Sequence, residues 1–306
     1  MKLAFGILAH DQRGCLRDLV DQLWVLPETT CVAVYNGGPD PELTAGLRVT
    51  AVPSPHPVRW GHGLEQSQFA TMGHLTAHDV DFEGLVFLDS DMTVFRADLA
   101  ARLGPLLAGG YVGGAVQPVH TRTEWMMGRR FASEWSHWQP LLGAPKPYGA
   151  YNPGQAVHRT YVEELLRLPR LDALLAQARR ARTPCLEEFL LPTLCASLGA
   201  TLASYPEPQL LHGLHSPAEI RQAVTGPGVG LLHKVVMRTD SPDRLAAARL
   251  TADPAAAVDD LQRRWLERPP DPPPVVGRAR GAARAARDLA TRVGLLASGV
   301  RGFRLP

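Results

Sequence analysis

Leu85-Val86-Phe87-Leu88-Asp89-Ser90-Asp91-Met92 runs four apolar residues straight into two carboxylates. A short apolar run of this kind reads as a strand of a parallel sheet, buried on both faces, so the Asp-x-Asp falls where the strand leaves the core. In open α/β sheets ligands bind at that end. Two carboxylates one residue apart repel each other and are costly to bury unpaired, and a divalent cation is the simplest partner. Oxygen-only ligands favour Mg²⁺ or Mn²⁺ over Zn²⁺. A solvated acidic turn after a strand is the plain alternative.

Upstream, the pattern reads as a strand from about Lys2 to Ala9, a helix from about Cys15 to Leu23 and a strand from Cys31 to Tyr35 closed by Asn36-Gly37-Gly38-Pro39. A short strand near Leu47 to Val52 leads into the Pro/His-rich loop Pro53 to Gly63. A helix carrying Leu64, Met72 and Leu75 then precedes the Asp-x-Asp strand. Downstream, the sequence predicts a helix over Ala97 to Leu107, a strand over Tyr111 to Gln117 and a helical stretch bearing Trp125, Trp135 and Trp138. A loop over Pro145 to Gly154 follows. Helices near Tyr161 to Leu168, Leu171 to Arg182 and Leu186 to Ser197 lead to a strand over Ala200 to Tyr205. Strands alternating with helices imply a mostly parallel sheet flanked by helices.

A chain of 306 residues, 45% apolar and 20% charged, can bury a sizeable core. Its net charge of +2 gives no basis for nucleic-acid binding. The four cysteines, Cys15, Cys31, Cys185 and Cys195, form no C-x-x-C pair, which fits a reducing, cytoplasmic setting. Leu3 to Leu8 is too short for a membrane span. Beyond about Met237 the composition turns to Ala, Arg, Pro and Asp, and Pro269 to Pro274 reads as a stiff linker. The expected division is therefore 1–237 as a catalytic domain and 238–306 as a helical tail with a linker. Its last thirty residues set Arg278, Arg280, Arg284, Arg287, Arg292, Arg301 and Arg304 against the single acid Asp288. With Leu289, Val293, Leu296 and Val300 as a stripe, it reads either as a solvated tail or as a basic amphipathic segment in peripheral contact with a membrane.

An Asp-x-Asp closing the central strand of this element order resembles the nucleotide-sugar-dependent glycosyltransferases of the GT-A fold, over residues 1–237. The resemblance implies a Rossmann-type mixed, mostly parallel sheet flanked by helices. It implies transfer of a sugar from a nucleoside-diphosphate sugar to the hydroxyl of a sugar or other acceptor, with Mn²⁺ or Mg²⁺ as cofactor. Inversion is the expected course, with retention left open. Asp91 would bind the metal directly, and Asp89 would contact the ribose or reach the metal through water. His10 and Asp11, after the first strand, and Asn36, after the second, would hold the nucleobase and ribose; Asn36 stands where an acid is frequent, which leaves the base open. Val58-Arg59-Trp60-Gly61-His62-Gly63 resembles the Trp-Gly segment of branching N-acetylglucosaminyltransferases, which marks Trp60 as a donor contact.

The remaining candidates lie later in the chain. Glu187 and Glu188 open a predicted helix, where first-turn carboxylates also satisfy the helix dipole. Glu188 is taken as the general base for the acceptor hydroxyl, since Phe189, Leu190, Leu191 and Leu194 mark the buried side and turn Glu187 outward. His233 is the expected third metal ligand and Lys234 the diphosphate contact, with His212 and His215 as alternatives. Asp11 serves equally well as a helix N-cap. Trp125, Trp135, Trp138, Tyr148 and Tyr151 offer either acceptor-stacking faces or core packing, and Tyr151 to Gln155 is read as an acceptor or donor-sugar contact. Two rivals remain: a nucleotidyltransferase, which would need a Gly-rich phosphate loop near the first strand, and a non-catalytic nucleotide- or sugar-binding domain.

Overall fold

The computed structural model describes residues 1–55, 58, 61–121, 125–206, 217–226 and 230–232, together with 253, 256, 257, 259, 260 and 263. The chain divides into two units, Met1–Trp265 and Leu266–Pro306. The architecture below belongs to the first. The second, with the Arg-rich tail, lies outside the described residues, as do Trp60, His212, His215, His233 and Lys234.

Alternation along the two central strands builds the fold. In β1 (Leu3–Ala9), Leu3, Phe5, Ile7 and Ala9 pack into one core layer while Ala4 and Leu8 face the other. In β4 (Gly84–Asp89), Val86 and Leu88 join the first layer and Leu85 and Phe87 the second. A strand apolar on both faces requires cover on both sides. Helix α1 (Arg13–Val25) covers one face with Leu16, Leu19, Val20 and Leu23. Helix α2 (Leu64–Ala77) covers the other with Phe69, Met72 and Leu75. Each such side chain contributes about 1.5–3 kcal/mol through its removal from water.

The remaining strands are β2 (Thr29–Asn36), β3 (Thr50–Val52), β5 (Thr93–Val94), β6 (Gly110–Pro118), β7 (Tyr148–His158), β8 (Thr201–Ser204) and β9 (Leu231–Leu232). The main sheet has the order β3-β2-β1-β4-β7-β6-β8. Strands β3, β2, β1 and β4 run parallel, and β6 runs parallel to β8. Strand β7 is antiparallel to both its neighbours. The sheet is thus mixed and mostly parallel, as the sequence implies. Chain order reverses at β1, which sends β2 and β3 to one side and β4 to the other; this is the switch point where ligand crevices form. Strands β5 and β9 make a small separate ladder.

Two sequence expectations are corrected. The segment read as a loop over Pro145 to Gly154 is largely β7. Its Pro, Gly and Tyr content imitates a turn, yet the register between β6 and β7 shifts over this stretch, and Pro153 sits where no ladder partner is required. The helix expected from Leu186 begins instead as a 3-10 turn, Leu186–Glu188, followed by an α-helix over Leu190–Ser197. The further helices are α3 (Leu99–Leu107), α4 (Met126–Ser133), α5 (Trp135–Leu142), α6 (Arg159–Leu166) and α7 (Leu171–Ala178); Leu190–Ser197 is α8, and α9 spans Pro217–Thr225. Among the described residues no helix is long and apolar enough to cross a membrane.

Candidate active site

Strand β4 pairs with β7 only from Gly84 to Val86, opposite His158 to Ala156. Beyond Val86 the two strands part. Leu88 and Asp89 keep β1 on one side, where Asp89 pairs with Leu8, and border an opening on the other. The result is a cleft of about 370 Å³ at the switch point. Its walls are Leu8, His10, Asp11 and Gln12 at and after the end of β1, Asp89 to Asp91 from the end of β4, Asn152 and Pro153 from β7, and Cys185, Glu187 and Glu188, with Gly61 and Leu64 completing it.

Asp89, Ser90 and Asp91 are half-buried, and their turn is closed by Met92 N–H donating to the Asp89 carbonyl at 3.0 Å. The Ser90 N–H donates to the Leu8 carbonyl at 3.0 Å, which extends the β1–β4 pairing through the first residue of the turn. Both carboxylates are therefore carried on a backbone fixed by the central ladder. Among the described residues no group of three or more His, Cys, Asp or Glu converges as a metal cage. An ion bound together with a diphosphate needs only one or two protein carboxylates, and the hard oxygens of Asp89 and Asp91 fit Mg²⁺ or Mn²⁺.

Facing these acids, Glu187 and Glu188 stand on the 3-10 turn. Glu188 is half-buried, whereas Glu187 is only 2% exposed, so the expectation that Glu187 points outward is corrected. A 3-10 turn advances about 120° per residue, not 100°, which changes the faces assigned by helical counting. Cys185 enters the turn with φ of +57°, a left-handed conformation that costs a non-glycine residue about 1–2 kcal/mol. It is held there because its N–H donates to the Gly61 carbonyl at 2.7 Å. Glu187 Oε2 has no hydrogen-bond partner among the described residues. Burial pushes its carboxyl well above the ordinary range, and the nearby charges of Glu188, Glu65 and Asp89 push the same way. Burial also raises the Cys185 thiol, with Glu187, Glu188 and Asp89 adding to it, so this cleft cysteine is held as the unreactive thiol.

His10 and Asp11 line the cleft. Asp11 is exposed and does not cap α1; the cap position is Gln12, at φ +57°, whose side chain makes no cap bond. The expected adjacency of the first two strand ends is present, with Ala9 paired to Asn36 and Gly37 N–H donating to the Ala9 carbonyl at 2.7 Å. Gly38 lies so close to the His10 backbone that a Cβ there would collide with its carbonyl. The Asn36 side chain is spent on its own turn: Oδ1 accepts from Gly38 N–H at 3.0 Å and Nδ2 donates to the Asp40 carbonyl at 2.6 Å. It is not among the residues that wall the cleft.

Asn152 accepts at Oδ1 from Gln68 Nε2 at 3.0 Å. Tyr205, buried at the end of β8, donates its hydroxyl to the Gly154 carbonyl and pins the bulged part of β7. Trp138 is fully buried core. Trp125 packs on Phe189 with ring centroids 4.7 Å apart and on Tyr151 at 6.1 Å, directly behind the carboxylate turn. None of the five aromatic candidates walls the cleft. Gln12 and Cys185 are cleft residues that sequence reasoning left unassigned, while Asn152 falls in the segment read as a sugar contact; left-handed backbone, the one shared signal at Gln12 and Cys185, is not legible in a non-glycine sequence.

A scan of protein-family models finds no match to this chain, and a search of curated proteins finds none either. Among solved structures, the galactosyltransferase LgtC in complex with donor and acceptor sugar analogues is similar at 12% identity and a TM-score of 0.42, over 89% of this chain and 98% of that one. Glucosyl-3-phosphoglycerate synthase from Mycobacterium tuberculosis, in complex with Mn²⁺, UDP and glucosyl-3-phosphoglycerate, is similar at 19% identity and a TM-score of 0.33, over 65% of this chain and 81% of that one. Identities and scores of this size carry no activity across to this chain.

Proposed function

We propose that this cleft transfers a sugar from a nucleoside-diphosphate sugar to an acceptor hydroxyl. The observation that carries the reading is the convergence of two acidic pairs at the sheet's switch point: Asp89 and Asp91 at the end of β4, and Glu187 and Glu188 across about 370 Å³ of open space.

Asp89 and Asp91 would hold Mg²⁺ or Mn²⁺, with remaining positions left to phosphate oxygens and water. The ion, when bound, neutralises charge that grows on the departing diphosphate. The start of α1 supports the same placement, because it opens at the cleft wall with no side-chain cap and its electropositive end favours phosphate. His10 and Asp11, on the same edge, are assigned to the ribose and base. Glu188, half-buried and wet on one side, takes the acceptor proton. Glu187 is assigned no proton transfer; burial pushes its carboxyl toward the neutral form beside the base. Asn152, fixed by Gln68, is assigned to the transferred sugar. A base on the acceptor side and a leaving group on the Asp89 side suit displacement with inversion.

The test is calorimetric titration of nucleoside diphosphates with and without Mn²⁺, followed by assay of the matching sugar donors for nucleoside-diphosphate release. Metal-dependent binding followed by release supports the transferase. Binding without release under any acceptor condition supports a non-catalytic binding domain, and no binding sinks the reading.

A further inference from the structure

Helix α2 buries a polar side chain where its spacing calls for an apolar one. Gln68 stands four residues before Met72 and seven before Leu75, on the stripe that packs against the sheet, and it is 2% exposed. Its Oε1 has no hydrogen-bond partner among the described residues. A half-matched buried amide lowers stability relative to an apolar residue of the same shape, so packing alone does not account for a glutamine here. What the amide does make is a hydrogen bond from Nε2 to Asn152 Oδ1 at 3.0 Å.

The surroundings hold Gln68 in place. Gly6 of β1 lets α2 come close, since a Cβ there would meet Thr71 Cγ2 at 2.9 Å and the Phe87 ring at 3.1 Å. What remains between α2 and the strand ends is a chamber of about 10 Å³, no larger than a single water, walled among others by Ser67, Gln68, Thr71, Asp89 and Asn152. Leu8, Asp89 and Asn152 belong to this chamber and to the cleft alike. Gln68 does not wall the cleft, so it acts on a cleft ligand only through its neighbours. Asn152 is half-buried and borders both spaces. A planar amide carries its oxygen and its nitrogen on opposite sides of Cγ, so an Oδ1 engaged by Gln68 leaves Nδ2 directed away from α2. The cleft is thereby offered a donor.

We infer that Gln68 is a positioning residue for the donor sugar: by engaging Asn152 Oδ1 it turns the Asn152 N–H groups to the cleft, where they donate to an oxygen of the transferred sugar. The inference rests on the transferase reading for the sugar, and on the Gln68–Asn152 bond for the orientation. Without that bond the Asn152 amide is free to rotate, and an oxygen faces the sugar as readily as a nitrogen does.

The test is calorimetry on the full-length protein with Mn²⁺, using UDP, UDP-glucose and UDP-galactose, with GDP and GDP-mannose in parallel. It reads the affinity of each nucleotide sugar relative to its own diphosphate. Gln68→Met, which keeps the length and loses the amide, should lower that ratio about tenfold and leave the diphosphates unchanged. Asn152→Ala should lower the ratio equally, and the double variant no further, because both changes remove one interaction. Asn152→Asp keeps an oxygen for Gln68 but loses the N–H groups, and its ratio should fall as far as that of Asn152→Ala. A ratio unchanged in Gln68→Met, additive losses in the double variant, or a wild-type ratio in Asn152→Asp overturns the inference. Retained diphosphate affinity shows that a variant is folded, and if Gln68→Met fails to fold, Asn152→Asp decides. Diphosphates that bind while none of the nucleotide sugars does overturn the inference and leave the nucleotide site standing. Absence of diphosphate binding in the wild type sinks the transferase reading, and the sugar contact falls with it.

Discussion

Gln155 donates its side-chain amide to the main-chain carbonyl of Glu187 at 3.1 Å, so the inner part of β7 and the carboxylate turn are joined across 32 residues of chain. Gln155 is fully buried, and its Oε1 has no partner among the described residues. A polar residue retained in such a place fixes position more than it adds stability. Through it, the strand that parts from β4 also sets where the two glutamates stand.

Asp91→Asn should abolish Mn²⁺-dependent binding of nucleoside diphosphates while leaving the thermal midpoint within a few degrees of wild type. The change removes a charged ligand without opening a cavity. Calorimetry with and without Mn²⁺ checks it; equal metal-dependent affinity in both proteins removes Asp91 from the site.

Glu188→Gln keeps shape and hydrogen-bonding size but cannot accept the proton. Transfer should fall by about 10²-fold or more with donor affinity unchanged. A parallel loss of donor affinity in the same titration assigns Glu188 to binding instead.

Glu187→Gln should act on stability through pH. The folded-state carboxyl is raised above its ordinary value of 4.5, so the native protein holds a proton that the unfolded chain releases. Wild-type stability is therefore greatest below the unfolded value and falls as pH climbs from there toward the raised folded value. The glutamine variant lacks that loss. Urea midpoints measured between pH 4 and 8 should diverge in its favour as pH rises; parallel curves would show that Glu187 titrates as an ordinary carboxylate.

Phe189→Ala should cost about 3–5 kcal/mol, the usual range for emptying a buried aromatic site. Phe189 is fully buried and stacks on Phe131 with centroids 4.8 Å apart and planes 13° apart. Because it follows Glu188 directly, Phe189→Leu, a milder change, should lower turnover more than it lowers the urea midpoint. A variant with wild-type turnover would show that the turn keeps its shape without the ring.

The sheet was legible because its signals are local: apolar runs in β1, β2 and β4, and helices whose apolar residues recur at helical spacing. Asp89 and Asp91 were legible for the same reason, since a carboxylate ending a buried strand is placed by the strand. Glu187 was not. Its face depends on Cys185 adopting a left-handed backbone, imposed by Gly61 from more than a hundred residues away, and on a 3-10 turn replacing the first turn of a helix. Strand β7 was hidden by Pro153 and Gly154, residues that mark turns in isolation but here mark a bulge. Asn36 was rightly placed at the sheet edge, where a short amide after a strand closes its own turn, a local bond the strand pattern does not spell out.

The Trp125–Phe189 contact has an optical consequence. Phe189 is covalently next to Glu188, and the indole lies 4.7 Å from its ring, so a shift of the carboxylate turn changes the packing around a fluorophore. The protein thus carries its own emission reporter, isolated by subtracting the spectrum of Trp125→Phe, through which occupancy of the cleft can be followed in real time without labelling either substrate.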